Sequence, residues 1–291
     1  MAAKIIDGNA IAADVRAETA RGIEKLKALG KPVHLTAIIV GATPAAEIYA
    51  DRQAAGCRAI GIEYTLLHLA EDISNRDLRN EIRRLNKDPN VTGIMLHMPL
   101  PRHIDAARAQ YEIDVVKDVE GVSAANLGYV LYKHVVIAPC TALAAVELVK
   151  HSGVDIEGAE CVVVGASDIV GKPIALLMTG QMATVTVCHI ATRDLAFHTR
   201  RADILIVAAG KAGLIGGDMV KDGACVIDVG INRITLPDGT KKTVGDIDFE
   251  AVKAKAGWIT PVPGGVGPMT VAMLLRNTLK AAEILAGVTA G

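Results

Sequence analysis

The sequence predicts an α/β protein of two domains built on parallel β-sheets. Its 291 residues are enough for two domains of ordinary size. Short apolar runs bounded by turn residues alternate with segments of helical periodicity, which is the pattern of βαβ units. The apolar runs contain few polar positions, as in parallel strands that helices cover on both faces.

The composition excludes several classes of protein. Hydrophobic residues make up 51% of the chain and charged residues 22%, which favours a folded core over disorder. The formal net charge is −1 and aromatic residues are 3%, so we expect no nucleic-acid partner. No apolar run reaches the roughly 18 residues of a membrane span, and the sequence starts without a secretory signal. We therefore expect a cytoplasmic protein that does not bind membranes.

The cysteines predict neither disulfides nor a zinc site. They lie far apart, form no C-x-x-C pair and have no histidine at ligand spacing, so we expect no metal. Isolated thiols of this kind are typical of small buried residues in a reducing compartment. They are Cys57, Cys140, Cys161, Cys188 and Cys225.

The first half of the chain predicts alternating helices and strands. Apolar residues at helical spacing define the first helix, and Gly30 follows as its C-terminal cap. The β-rich and apolar runs between the helices predict buried strands. The predicted elements are a helix at 9–29, a strand at 34–40, a helix at 44–60, a strand at 63–67, a helix at 72–87 and a strand at 91–97.

The second half repeats this alternation with four apolar runs at 161–165, 183–188, 203–207 and 224–228, and ends in a helix over 268–286. We place a hinge near 139–141 and a second crossing near 264–267. The predicted substrate domain is then 1–139 plus 268–291, and the predicted dinucleotide-binding domain is 140–267.

A strand, a glycine-containing turn and a helix start stand together at Val162–Pro173. Small residues in such a turn let the backbone approach a phosphate, whose charge the helix N-terminus attracts. Ser167 stands where the second glycine of the usual fingerprint would stand. The spacing alone also fits an ordinary βα turn, but the surrounding βαβ pattern favours a Rossmann-like dinucleotide site.

The end of the next strand favours NADP over NAD. NAD-binding domains usually place an acidic residue there to bind the ribose hydroxyls. The segment 188–193 contains no acid, and Arg193 can meet a 2′-phosphate. The alternative for Arg193 is a solvated charge at a helix start.

Several segments together resemble the bifunctional methylenetetrahydrofolate dehydrogenase/cyclohydrolase family, the FolD type. The similarity runs along nearly the whole chain. It implies a homodimer that holds folate in a cleft between the domains. It also implies two reactions, oxidation of 5,10-methylene- to 5,10-methenyltetrahydrofolate and hydrolysis to the 10-formyl form. The segments are 41–49, 99–101, 117–121, 162–173, 226–233, 245–249 and, most specifically, Ile259–Thr270.

The resemblance also assigns residues to the two ligands. Tyr49 would contact the folate, and a wall of three residues would lie beside nicotinamide and pterin, where a Cβ would obstruct their approach. The wall is Pro263, Gly264 and Gly265, and the residues implied to bind cofactor are Gly165, Ala166, Ser167, Val170, Gly171, Arg193 and Ile231.

Three polar positions on the substrate side depart from the family pattern. The family places a lysine four residues after the tyrosine, and this chain has Gln53. His97 replaces the usual glutamine before Met-Pro-Leu-Pro, and Glu120 replaces an aspartate. We therefore treat Tyr49, Gln53, His97 and Glu120 as the candidate catalytic and substrate-binding residues.

These departures predict a retained dehydrogenase with a weakened or absent cyclohydrolase. Hydride transfer depends mainly on positioning, whereas hydrolysis needs general acid–base catalysis that glutamine cannot supply. One alternative is a fully bifunctional enzyme in which His97 moves the protons. Another is a non-catalytic folate- or dinucleotide-binding protein. A short-chain dehydrogenase fits poorly, because its tyrosine would follow the dinucleotide turn.

Overall fold

The computed structural model describes residues 3–41, 44–132 and 136–288. The chain divides into two compact units. Unit 1 consists of Met1–Ala13 and Pro139–Met273, and unit 2 consists of Asp14–Ala138 and Leu274–Gly291.

The described residues form eleven strands and ten α-helices. The strands are β1 (Lys4–Ile5), β2 (His34–Val40), β3 (Glu63–Leu69), β4 (Gly93–Leu96), β5 (Glu160–Val164), β6 (Thr184–Cys188), β7 (Ile204–Val207), β8 (Cys225–Asp228), β9 (Asn232–Thr235), β10 (Lys241–Val244) and β11 (Trp258–Ile259). The helices are α1 (Gly8–Ala28), α2 (Pro44–Ala59), α3 (Asn75–Lys87), α4 (Ala106–Tyr111), α5 (Ala124–Leu131), α6 (Cys140–Ser152), α7 (Gly171–Gly180), α8 (Leu195–Thr199), α9 (Phe249–Lys253) and α10 (Val266–Leu285).

Unit 1 contains a six-stranded sheet in the order β1-β11-β8-β7-β5-β6. All of its strand pairs are parallel. After β5 the chain adds β6 on one side and then β7 on the other, so the direction of winding reverses between β5 and β7. Open α/β sheets bind ligands outside the carboxyl ends of the strands at such a switch point. Strands β9 and β10 form a separate antiparallel hairpin.

The core of unit 1 explains why its strands are apolar on both faces. Every residue of β7 and β8 is buried. Apolar side chains of the central strands, including Val162, Leu205 and Val226, pack in one cluster with Val252 of α9 and Ile259 of β11. This arrangement confirms the prediction of a parallel sheet covered by helices.

Unit 2 contains a parallel three-stranded sheet in the order β3-β2-β4. Helix α3 covers it with Leu78, Ile82 and Leu85, which recur at helical spacing and are buried. The Ser74 side chain caps this helix by accepting from the Asp77 backbone N–H. Ile94 of β4 also forms a parallel bridge with Asp118, which brings the segment after residue 117 alongside that strand.

The observed units differ from the predicted domain bounds at residues 1–13 and 268–273, which group with unit 1. The first difference has a clear cause, because β1 pairs in parallel with β11 through Ile5 and Ile259. The five cysteines are buried and form no disulfide. None of the helices in the described ranges is long and apolar enough to cross a membrane.

Candidate functional site

The turn after β5 requires glycine at its first position. Gly165 has a φ of +123°, a conformation that residues with a Cβ rarely adopt. A Cβ at this position would also overlap the carbonyl oxygen of Ala208, which follows β7. The Gly165 N–H donates to the Cys188 carbonyl at 2.8 Å, so the turn is fixed to the strand ends on both sides.

Ser167 links this turn to the start of α7. Its hydroxyl accepts from the Gly171 N–H at 3.3 Å, and its carbonyl accepts from the Lys172 N–H at 3.1 Å. Val170, the residue before the helix, supplies no side-chain cap. The N–H groups of Gly171, Lys172 and Ile174 therefore already donate within the turn, and Pro173 has none, so α7 attracts an anion through the positive end of its dipole.

A pocket of about 450 Å³ lies at the carboxyl ends of β5, β6 and β7. We call it the β5–β7 pocket. It sits at the switch point of the sheet, where α/β folds bind nucleotides. Arg193 directly follows the lining residue Thr192 and is exposed. The lining includes Gly165, Ala166, Ser167, His189, Ile190 and Ala209.

A second pocket, of about 380 Å³, lies at the carboxyl ends of β8 and β11. We call it the β8–β11 pocket. Its lining brings together four residues that the sequence had singled out, Ile231, Pro263, Gly264 and Gly265. Asn9 also lines this pocket, although it lies at the other end of the chain and no local motif indicated it.

Two buried carboxylates lie beneath these pockets. Asp228 ends β8 and accepts from the backbone N–H groups of Gly230, Asp246 and Ile247. Burial raises the pKa of Asp228 to about 6 despite these bonds. Asp246 in turn accepts from the N–H groups after β7. In the sequence both carboxylates lie in segments that resemble the family, 226–233 and 245–249, but neither was assigned a role.

In unit 2, Gln53 is buried and its side-chain amide is engaged. Tyr64 of β3 donates its hydroxyl to Gln53 Oε1 at 3.0 Å, and Gln53 Nε2 lies 2.7 Å from the Met95 sulfur. Tyr49 lies one helical turn earlier in α2, and its side chain lies outside the described part of the structure. Sequence reasoning missed Tyr64 and Met95, because their contacts with Gln53 join three separate elements.

His97 and Glu120 both lie at the carboxyl end of β4. The Leu96 N–H, one residue before His97, donates to the Glu120 carboxylate. Burial lowers the pKa of His97, which favours the neutral imidazole. Burial first, and then the neighbouring Asp118 charge, raise the pKa of Glu120 to about 7. The structure therefore places a neutral imidazole and a readily protonated carboxyl at one strand end.

The other charged residues of the 117–121 segment hold its backbone in place. Lys117 Nζ donates to the carbonyls of Leu85 and Asp88 at the C-terminal end of α3, at 3.1 and 2.7 Å. The Asp118 carboxylate accepts from Gly121 N–H, Ser123 N–H and Asn126 Nδ2. These contacts give Lys117 and Asp118 structural roles.

The raised pKa of Glu120 predicts a pH-dependent stability. In the unfolded chain this carboxyl loses its proton near the ordinary value of 4.5, and in the folded protein near 7. Between these values the folded state binds the extra proton, so stability falls as pH rises. From pH 5 to 8 we expect wild type to lose about 2–3 kcal/mol relative to Glu120→Gln in urea unfolding.

Asp228 titrates in both of these proteins, so its contribution cancels in the difference. Glu63→Gln, which removes an exposed acid of β3, is the control, and its difference from wild type should not vary in this way. A constant difference between wild type and Glu120→Gln would show that Glu120 is ionised throughout this pH range.

Comparison with known proteins assigns both halves of the chain. The family model for the catalytic domain of tetrahydrofolate dehydrogenase/cyclohydrolase matches residues 6–120. The model for the NAD(P)-binding domain of the same family matches residues 139–286. The chain belongs to the tetrahydrofolate dehydrogenase/cyclohydrolase family. This membership confirms the predicted oxidoreductase class, and the two-domain α/β fold with a Rossmann-like NAD(P)-binding domain is confirmed with it.

Members of the tetrahydrofolate dehydrogenase/cyclohydrolase family resemble this chain along its whole length. The bifunctional protein FolD of Moorella thermoacetica is 49% identical over 283 residues, covering 97% of this chain and all of that protein. The bifunctional FolD structure from Campylobacter jejuni is 44% identical with a TM-score of 0.91, covering 97% of this chain and 99% of that one. The Trypanosoma brucei FolD structure, complexed with NADP and an inhibitor, is 37% identical with a TM-score of 0.92 and full coverage of both chains.

Proposed function

We propose that this protein is an NADP-dependent 5,10-methylenetetrahydrofolate dehydrogenase with a weakened or absent cyclohydrolase. The observation that carries the dehydrogenase is the alignment of two pockets along one edge of the unit 1 sheet. Between them they contain the turn residues and the wall residues that the family resemblance assigns to the cofactor. The names of the FolD relatives support the same reaction.

The residues of unit 1 fit a dinucleotide. The positive dipole end of α7 and the small residues 165–167 suit the pyrophosphate, because Gly165 lets the backbone turn sharply after β5 at a φ of +123°. The exposed Arg193 guanidinium suits a 2′-phosphate, which favours NADP over NAD. Bound there, NADP would supply the hydride acceptor for oxidation of the folate's methylene carbon. The wall residues 263–265 and Ile231 exclude water from the nicotinamide.

The folate side uses Tyr49, Gln53, His97 and Glu120. With a pKa of about 7, Glu120 can either accept from the pterin amide and amino groups or donate its own proton. Neutral His97 can accept or donate one hydrogen bond. Both residues bind and orient the pterin, which is what hydride transfer requires of them.

The weakened cyclohydrolase follows from Gln53. An amide does not titrate, and here its oxygen already accepts from Tyr64 while its nitrogen contacts Met95. In our proposal Gln53 still helps to orient the folate, but an amide cannot relay a proton to or from the attacking water. Loss of such general acid–base help costs about 10²–10⁴-fold in rate.

The second candidate is a fully bifunctional enzyme in which His97 moves the protons. The position of His97 favours this alternative, because it follows Leu96, whose backbone N–H donates to the Glu120 carboxylate at the end of β4. If it holds, wild type hydrolyses methenyltetrahydrofolate rapidly and His97→Ala loses about 10²–10⁴-fold of that rate. Under our proposal His97→Ala changes the already slow hydrolysis by less than about 3-fold. The methenyl absorbance measured without nucleotide distinguishes the two.

One assay tests the proposed function. Purified protein is mixed with 5,10-methylenetetrahydrofolate and either NADP or NAD, and both reduced nucleotide and methenyl product are followed. We expect reduction with NADP preferred and methenyl product accumulating. If no nucleotide is reduced, the third alternative, a non-catalytic binding protein, remains. A preference for NAD would refute the role of Arg193.

A homodimer and a cytoplasmic location belong to the same proposal, and sedimentation of the purified protein tests the dimer.

A further inference from the structure

We propose that Asp246, paired with Asn232, is a positioning residue that holds the loop after β7 in its NADP-binding shape. Asp246 itself lines neither pocket and is fully buried, at 0% exposure. It acts through the backbone of the loop whose residue Ala209 lines the β5–β7 pocket. The inference rests on the proposed NADP binding by unit 1.

The two oxygens of Asp246 bind donors from different elements. Oδ2 accepts from the backbone N–H groups of Ala209 at 2.6 Å and Gly210 at 2.8 Å. Oδ1 accepts from Asn232 Nδ2 at 2.8 Å, and the same amide group donates to the Gly245 carbonyl at 3.2 Å. The carboxylate therefore ties the β7 loop to the first residue of β9.

The same carboxylate is linked to the β8–β11 pocket. Gly230 lines that pocket, and a Cβ on Gly230 would overlap the Asp246 side chain. Asp228 accepts from both the Gly230 N–H at 3.0 Å and the Asp246 N–H at 2.9 Å. The two loops that line the two pockets are thus fastened to one pair of buried carboxylates. A dinucleotide that spans both pockets needs their walls in a fixed relation.

Both side-chain oxygens of Asp246 have to be hydrogen-bond acceptors. An ionised carboxylate has only acceptors, and it meets N–H groups at both oxygens. An asparagine at position 246 would have to point its NH₂ group either at the two backbone N–H groups or at the Asn232 NH₂ group. Either orientation places donor against donor inside the protein, and a flip of Asn232 that avoids this turns its oxygen toward the Gly245 carbonyl. Each arrangement leaves a mismatched buried pair, which is costly.

Exchanging the side chains at positions 246 and 232 tests this hydrogen-bond pattern. In Asp246→Asn we expect NADP to bind about 10–100-fold more weakly, the effect of one unmatched buried group. In the double variant Asp246→Asn with Asn232→Asp, the amide oxygen can again accept from the β7 loop while its NH₂ group donates to the new carboxylate. We expect the double variant to recover part of the lost affinity but not all of it, because the new carboxylate at position 232 cannot donate to the Gly245 carbonyl as Asn232 does.

Binding is measured by calorimetric titration of NADP into the intact protein without folate, which does not depend on turnover. Steady-state kinetics then separate the effects, and we expect a raised KM for NADP with KM for folate and kcat changed less than about 3-fold. Asp248→Asn is the matched control. Asp248 caps α9 by accepting from the Ala251 N–H, and asparagine caps equally well, so NADP binding should not change.

The outcomes separate the inference from the function on which it rests. Wild type that does not bind NADP refutes both. Wild type and Asp246→Asn binding equally well refutes the positioning role alone, as does a folded double variant that binds no better than Asp246→Asn. Should Asp246→Asn fail to fold, Asn232→Ala removes the donor to Oδ1 and to the Gly245 carbonyl and leaves the Oδ2 bonds to the β7 loop in place. Unchanged NADP affinity in that variant also refutes the role.

Discussion

Gln53→Lys is expected to raise the rate of methenyltetrahydrofolate hydrolysis by about 10²–10⁴-fold, because it supplies a titratable group where the wild type has an amide. The position is buried, so the ammonium form is disfavoured and the lysine pKa falls toward the range useful for proton transfer. The Tyr64 hydroxyl, which now donates to Gln53, can donate to the neutral amine instead. The decay of methenyl absorbance at neutral pH, with the buffer rate subtracted, measures this gain.

Gln53→Met is the control for that experiment. Methionine has a similar length and suits a buried site, but it neither titrates nor replaces the amide. We expect no gain in hydrolysis and a raised KM for folate in the dehydrogenase reaction. Rapid hydrolysis by wild type, or a Gln53→Lys variant as slow as Gln53→Met, would contradict the role given to Gln53.

Gly165→Ala is expected to have the largest effect on cofactor binding. The added Cβ would meet the Ala208 carbonyl at a backbone φ of +123°, so both strain and overlap oppose it. We expect a loss of about 2–6 kcal/mol in unfolding free energy, from backbone strain and overpacking together. The turn must also shift away from the pyrophosphate position, so NADP affinity should fall by more than about 100-fold.

Gly153→Ala is the control that separates the effect of backbone strain from that of steric overlap. Gly153 ends α6 with a φ of +73°, and a Cβ there would meet nothing within 4 Å. We expect this variant to lose only about 1–2 kcal/mol and to bind NADP normally. Urea unfolding and calorimetric titration of both variants provide the comparison. Equal effects of the two substitutions would mean that the close approach to Ala208 is unimportant.

The sequence predicted the elements whose signals are local. The apolar run at 34–40 is β2 with the same bounds, and the helix predicted at 9–29 is α1, ending just before Gly30 with its φ of +67°. The turn at Gly165 was predicted because a strand, small residues and a helix start are consecutive in the chain. The helix at 268–286 likewise matches α10 within two residues.

The remaining features depend on contacts between distant parts of the chain. Strand β1 has two residues and exists because it pairs with β11, which no local pattern indicates. The hairpin of β9 and β10 is partly exposed and polar, so it carries no apolar run. Tyr64 beside Gln53 is known only once β3 and α2 are packed together.

The place of β1 has a consequence for synthesis of the chain on the ribosome. Lys4 and Ile5 leave the exit tunnel long before their neighbours in the sheet, Trp258 and Ile259, are translated. Contacts of such wide sequence separation form slowly, since a long loop must close before they contribute. Strand β1 therefore cannot pair in this sheet until β11 has been synthesised.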